Sequence, residues 1–131
     1  MNLLDEQMRA DQRELLRRWG IPVRQIGRDI APSGIQDAEI IPFLHTLKRP
    51  TLFTHDEGFF DADFAHSHYC LVWLDTRDIE AALYVRRFLK HPRSNTQAKR
   101  LGTVARVHPG GVHFWPRHHA ALQKIGWSES R

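Results

Sequence analysis

The sequence contains a single cysteine, Cys70, among its 131 residues. One cysteine can form no disulfide within the chain, and it excludes a zinc framework built from several cysteines. No apolar run approaches the ~18 residues of a membrane-spanning helix, and the opening MNLLDEQ reaches two acids before any apolar segment of signal-peptide length. We therefore expect a cytoplasmic protein that does not associate with membranes.

Three motifs that carry common chemistry are also missing. The sequence has no Gly-rich phosphate loop, no Gly-x-Ser-x-Gly elbow and no His-Glu-x-x-His pattern. Nucleotide hydrolysis, serine hydrolysis and zinc proteolysis therefore lack support.

Acidic residues are absent between Glu80 and Glu129, a segment that contains many Lys and Arg residues. The formal net charge is +4, and a cationic segment of this kind favours a polyanionic partner. The candidate substrate contacts are Arg86, Arg87, Lys90, Arg93, Lys99 and Arg100. The alternative is a solvated helix end whose cations complement the helix dipole, and the sequence leaves both interpretations open.

A length of 131 residues with 41% hydrophobic and 26% charged residues indicates one globular domain. Apolar periodicity predicts alternating strands and helices. Strands are predicted at 1–4, 21–26, 51–54, 69–74 and twice within 102–115, and helices at 7–19, 37–47, 77–90 and 117–124. Pro42 lacks the N–H that a helix interior needs, so we expect a kink or a later start in the second helix. This order predicts an α/β fold with a mainly parallel sheet flanked by helices.

Acidic residues follow the apolar runs at which two of these strands end. Asp5 and Glu6 close the run MNLL, and Asp56 and Glu57 follow the run TLFTH. Asp37 follows the turn APSGIQ, at the start of a predicted helix. In alternating strand-helix folds, ligands gather at the carboxyl ends of parallel strands. Carboxylates placed there can share a hard cation such as Mg²⁺ or Mn²⁺.

Three of these segments resemble the PIN-like domain family of small metal-dependent ribonucleases. LLDEQ is similar to its opening strand followed by Asp-Glu-Asn, GIQDAEIIPFL to its Ser-Asp-Glu-Glu-Ile segment, and TLFTHDEGF to its Thr-x-Asp-x-Asp-Phe strand end. LVWLDTR continues the pattern as the next strand, so the resemblance covers about residues 1–90. It implies a single three-layer α/β/α domain over 1–131, to which 91–131 add a strand hairpin and a basic extension.

The resemblance implies a metal-dependent endoribonuclease similar to the toxins of bacterial toxin-antitoxin pairs. Asp5, Asp37 and Asp56 would be its catalytic and metal-binding set for Mg²⁺ or Mn²⁺, and Glu6 would be an accessory acid. RNA would be the substrate and an antitoxin protein a partner. A homodimer is left open.

Two positions depart from the family motifs. Gln7 replaces the Asn, and Gly58 replaces the second Asp of the strand-end motif. The nearby acids Glu57, Asp61 and Asp63 are candidates to supply the missing carboxylate. The alternative function is a catalytically weak or inactive PIN-like module that binds nucleic acid or a protein partner.

A third interpretation is a domain stabilised by zinc. His66, His68 and Cys70 alternate along the chain, and His113 or His118 would serve as a more distant ligand. The same pattern also fits histidines at a strand end and an inert cysteine in an apolar strand.

Overall fold

Seven strands join one mixed sheet in the computed structural model, which describes residues 1–116 and 121–127. The strands are β1 Asn2–Leu4, β2 Arg24–Gln25, β3 Thr51–Thr54, β4 Cys70–Leu74, β5 Val104–His108, β6 Gly111–Trp115 and β7 Gln123–Ile125. The helices are α1 Ala10–Arg18, α2 Asp37–His45, α3 Ala81–Lys90 and the short α4 Gln97–Arg100.

The strand order across the sheet is β2-β1-β3-β4-β5-β6-β7. The first five strands of the chain run parallel, whereas β6 and β7 are antiparallel to their neighbours. The predicted α/β class with a mainly parallel sheet is therefore confirmed. The carboxyl ends of β1 to β5 share one edge of the sheet, here the carboxyl edge, and their amino ends share the amino edge.

Helices cover both faces of this sheet. On the first face, α1 and α3 pack against Leu4, Phe53 and Val72. On the second face, α2 packs through Ile40 and Leu44 against the strands. Alternation along β1, β3 and β4 divides the apolar side chains between the two clusters, as buried parallel strands require. The arrangement is compatible with three layers, α/β/α.

The helix that contains Pro42 begins at Asp37, so the expectation of a later start is wrong. Gln36 and Glu39 form a reciprocal capping box there, and it satisfies backbone N–H groups that the first turn leaves unpaired. The predicted helix over 77–90 begins instead as a 3-10 turn, Asp78–Glu80, and becomes α-helical from Ala81.

The C-terminal segment departs most from its prediction. The hairpin within 102–115 is confirmed by β5 and β6, which pair from Val104↔Trp115 to His108↔Gly111. The predicted helix over 117–124 is wrong at Gln123 and Lys124, because these residues belong to β7, and 117–120 lie outside the described residues. Pairing with β6 supplies hydrogen bonds that the local apolar pattern does not reveal. Within the described ranges, no helix is long and apolar enough to cross a membrane.

The connections of the sheet diverge between β1 and β3. The chain leaves β1 through α1 on the first face to reach β2, and it leaves β2 through α2 on the second face to reach β3. Ligands of open α/β sheets bind at the carboxyl edge beside such a switch point. Asp5 directly follows β1 at this edge, and Asp56 lies two residues after the end of β3.

Candidate acidic site

Thr54, the last residue of β3, links the Asp5 carboxylate to the backbone of Asp56 at the switch point. The Thr54 hydroxyl donates to Asp5 Oδ2 at 2.5 Å, and Thr54 Oγ1 accepts the backbone N–H of Asp56 at 3.1 Å. The Gln7 N–H donates to Asp5 Oδ1, and the Gly58 N–H donates to Asp56 Oδ1, each at 2.9 Å. A carboxylate has about four acceptor positions, so both groups keep acceptor capacity for a cation.

Asp37 reaches the same site from the opposite side, as the first residue of α2. The partial positive charge of a helix N-terminus stabilises an anion at this position. Asp5, Asp37 and Asp56 all line one cavity of about 120 Å³, together with Thr54 and apolar side chains. The structure therefore brings together the three acids that sequence reasoning selected.

Glu6 also lines this cavity, but backbone and hydroxyl donors already hold its carboxylate. The Ser33 hydroxyl donates to Oε2 at 2.6 Å, and the Gly34 N–H donates to Oε1 at 2.8 Å. These two bonds lower the pKa of Glu6 below its ordinary value. Gly27 has φ +85°, and a Cβ there would come within 2.9 Å of the Glu6 carboxylate. Glu6 therefore anchors the loop before α2.

The acids proposed to compensate for Gly58 do not join the described lining of the cavity. Glu57 is exposed in the 3-10 turn that follows Asp56, and it is not among the lining residues. Asp61 accepts the backbone N–H of Asp63 at 2.9 Å, and both side chains are exposed. A metal-binding role for these acids stays a prediction, and their positions outside the described lining of the cavity do not support it.

Buried polar side chains hold the carboxyl edge in place. The Gln25 amide donates to the backbone oxygens of Asp5 and Met8, at 3.1 and 2.9 Å. His55 Nδ1 lies 3.1 Å from the Leu74 carbonyl oxygen and so ties the end of β3 to the end of β4. The carbonyl only accepts, which makes Nδ1 the protonated nitrogen.

The polar groups of the cavity suit a hydrated divalent cation better than a directly ligated one. Within residues 1–116 and 121–127, no three His, Cys, Asp or Glu side chains are close enough together to hold an ion directly. All the polar side chains lining the cavity present oxygen donors, which Mg²⁺ and Mn²⁺ prefer, and its ~120 Å³ leaves room for several waters at ~30 Å³ each. The site fits an ion that keeps much of its hydration.

The predicted cationic contacts lie away from these acids. The chain from the last turn of α3 to the start of β5 follows the amino edge, and it contains Lys90, Arg93 and Lys99. Arg100 is buried there, and its guanidinium donates to Thr51 Oγ1 and to the Ser94 carbonyl oxygen. These bonds connect Arg100 to the first residue of β3, far from Asp56.

Two further members of the cationic set rest on aromatic rings. Arg86 Cζ lies 3.8 Å from the centroid of the Trp19 ring, and Arg87 Cζ lies 4.4 Å from that of Trp127. Arg93 and Lys99 instead line a larger cavity of about 560 Å³ on the first face of the sheet. No carboxylate is among its described lining residues, so we place the candidate site at the smaller, acidic cavity.

The structure gives no support to a zinc site at the alternating histidines. Cys70 is fully buried, and burial raises the pKa of its thiol to about 11. His66 and His68 lie beside His45, with ring centroids 4.6 and 5.4 Å from its own. His118 lies outside the described residues.

Sequence reasoning missed Thr54 as a member of the site. Its role depends on the parallel pairing of β1 with β3, which aligns Leu4 with Phe53 and brings Asp5 close to Thr54. The available signal was the threonine one residue before the end of the apolar run TLFTH.

Comparison of the chain with protein-family models, with curated proteins and with solved structures gives no match. The fold and the acidic cavity define an α/β protein with a carboxylate site at its topological switch point. The PIN-like resemblance stays a prediction.

Proposed function

We propose that the chain is a metal-dependent endoribonuclease that hydrolyses RNA phosphodiesters at the acidic cavity. The observation that carries this proposal is that Asp5, Asp37 and Asp56 line one cavity at the switch point between β1 and β3. Three carboxylates around one cavity repel each other unless a cation lies between them. Mg²⁺ or Mn²⁺ would be the cofactor.

Asp5, Asp37 and Asp56 would hold the ion mainly through its bound waters, because no three acidic side chains of the described residues are close enough to ligate it directly. Such an ion would supply activation of a water for attack on the phosphodiester and stabilisation of charge on the leaving oxygen. Thr54 fixes the Asp5 carboxylate and the Asp56 backbone, so that the two acids keep their positions. Glu6 holds the loop that leads to Asp37 through Ser33 and Gly34.

The sequence resemblance supports assignment to the PIN-like fold and to the toxins of toxin-antitoxin pairs. The mainly parallel sheet, the helices on both faces and the order of the three acids agree with that assignment. An antitoxin protein would then be a regulatory partner, and the cytoplasm would be the site of action.

The test is cleavage of a mixed RNA pool by the purified protein in Mn²⁺. Cleavage is expected for the wild-type protein and is expected to disappear with chelator and in Asp56→Asn, because the variant removes a charge from the cavity. Asp63→Asn is the matched control, since Asp63 is exposed and outside the described lining of the cavity. Equal cleavage by Asp56→Asn and the wild-type protein would contradict the proposal.

A second candidate function is a PIN-like module that binds nucleic acid or protein without cleaving. The observation that favours it is Gly58, which leaves the turn after β3 without the carboxylate of the family motif. It predicts salt-sensitive RNA binding that persists in chelator, with no cleavage in Mn²⁺. The same two assays therefore separate the two functions.

A further inference from the structure

A row of paired residues crosses the sheet from the acidic site to the last strand. Each member pairs with the next: Thr54↔Trp73, Trp73↔Arg106, Arg106↔His113 and His113↔Lys124. Paired positions on neighbouring strands point to the same face, so these five side chains form one continuous row, here called the cross-strand row. At a strand spacing of ~4.8 Å it extends about 19 Å from Thr54 to Lys124.

The row lies on the second face of the sheet. Leu52, Leu71 and Val104, two positions before Thr54, Trp73 and Arg106, belong to the apolar cluster beneath α2. Among the described helices, α2 covers this face, and its buried residues contact a cluster that draws its strand residues from β1, β3, β4 and β5. Trp73 and His113 are half-buried, Lys124 is exposed, and the Arg106 side chain is 30% exposed.

Asp75 and His113 orient the Arg106 guanidinium but do not use all of its N–H donors. Its Nε and Nη2 donate to Asp75 Oδ2 at 2.9 and 2.7 Å, and its Nη1 lies 3.3 Å from His113 Nδ1. These contacts use three of the five guanidinium N–H groups. Two N–H groups remain for an anion, and a guanidinium suits a phosphate because it presents its donors in one plane.

His113, the histidine of the row, is suited to donate a hydrogen bond as a neutral ring. Because Arg106 only donates, His113 Nδ1 is the acceptor and the ring keeps Nε2–H as a donor. Burial, reinforced by His108, Arg106 and Lys124, lowers the pKa of His113 below its ordinary value. With Nδ1 as an acceptor the ring is neutral, and its Nε2–H can donate to a base or a phosphate oxygen.

Trp73 provides an aromatic ring between the acids and the cations. Phe60 lies with its ring centroid 5.7 Å from that of Trp73, and Arg106 Cζ lies 5.5 Å from the same ring. An aromatic ring flanked by cations is the arrangement on which single-stranded nucleic acids stack their bases. None of the five members of the row is an acid, although Asp75 pairs with Arg106, so the row suits an anionic partner. The ring of Trp73 favours a nucleic acid over an acidic protein surface, because bases can stack on it.

We propose that the cross-strand row binds a single-stranded RNA segment and leads it to the acidic cavity. A base would stack on Trp73, while Arg106 and Lys124 would bind phosphates on the side away from Asp56. This inference rests on the proposed nuclease function and adds the binding surface for its substrate. It also assigns substrate binding to the row instead of the cations at the amino edge, since Lys90 lies at the other end of the sheet from the acidic cavity.

The test measures binding of an oligouridylate of about ten nucleotides in EDTA, where no metal-dependent cleavage occurs. Trp73→Leu is expected to weaken binding about tenfold, whereas Trp73→Phe keeps most of the affinity because a ring remains for stacking. Lys124→Ala is expected to reduce the slope of log affinity against log salt by about one. Lys90→Ala is the matched control, and it is expected to change neither quantity. Circular dichroism of each variant checks that it is folded.

Three results would contradict the proposal that the row binds RNA. The first is wild-type affinity for the oligouridylate in both Trp73→Leu and Lys124→Ala, and the second is a loss of affinity in Lys90→Ala alone. The third is no binding of the oligouridylate by the wild-type protein. Failure of the nuclease proposal gives a different result. If the protein binds the oligouridylate through the row in EDTA but does not cleave RNA in Mn²⁺, the binding proposal holds and the nuclease proposal fails.

Discussion

Thr54 is the residue on which the geometry of the acidic site depends most. Its one hydroxyl donates to the carboxylate of Asp5, which follows β1, and accepts the N–H of Asp56 in the turn after β3. The side chain is almost fully buried, so water cannot replace these bonds without rearrangement. Removing a buried partner leaves the other group unsatisfied, which costs more than the net value of the bond.

Thr54→Val keeps the shape of the side chain and removes the hydroxyl. We expect it to lower the free energy of unfolding by about 1–3 kcal/mol and to reduce Mn²⁺-dependent cleavage, since Asp5 and Asp56 lose their common partner. Urea denaturation and the cleavage assay measure the two effects.

Thr51→Val provides the matched control at the other end of β3. Thr51 is equally buried, and its hydroxyl oxygen accepts from Arg100 Nε at 3.3 Å. We expect a similar loss of stability with cleavage retained at equal folded fraction. Full activity in Thr54→Val would contradict the role assigned to its hydroxyl.

At the scale of elements, the turn after β3 contributes one carboxylate, that of Asp56, to the lining of the cavity. It begins at Asp56, which accepts the Gly58 N–H, and continues as the 3-10 turn Glu57–Phe59. A Cβ built on Gly58 would lie 3.1 Å from Asp56 Oδ1. A carboxylate at position 58 would therefore stand next to that of Asp56.

Gly58→Asp is expected to strengthen Mn²⁺ binding by about tenfold, because affinity for hard cations rises with the number of charged oxygen ligands. Without metal the variant is expected to unfold at a lower temperature than the wild-type protein, since like charges then face each other. Thermal unfolding with and without Mn²⁺ measures both effects. Gly58→Asn is the uncharged control, and an equal gain in Asn and Asp variants would refute the electrostatic explanation.

The elements also show what could be predicted from this sequence. The apolar spacing after Asp37 and the run before Asp5 predicted α2 and β1, because burial imposes a local period on each. The cross-strand row was missed because it depends on register between strands as distant as β3 and β7. Arg106 belongs to the segment without acids between Glu80 and Glu129, but the sheet places it beside Trp73 rather than beside Lys90.

Across the whole molecule, the two edges of the sheet differ in chemistry. The carboxyl edge contains Asp5, Asp56 and Asp75, and the amino edge contains Arg100 and the chain that follows α3. Several cations of the basic segment therefore lie away from the acidic cavity. A polyanion approaching the acids needs a nearby cationic surface, and Arg106 with Lys124 supplies one on the second face.

The most direct measurement is titration of the protein with Mn²⁺ while free Mn²⁺ is followed by electron paramagnetic resonance. We expect wild-type protein and Asp63→Asn to bind the ion with equal affinity, and Asp5→Asn to bind it about tenfold or more weakly, because Asp5 lines the acidic cavity whereas Asp63 is outside its described lining. Equal Mn²⁺ affinity in Asp5→Asn and the wild-type protein would contradict a metal site at the switch point.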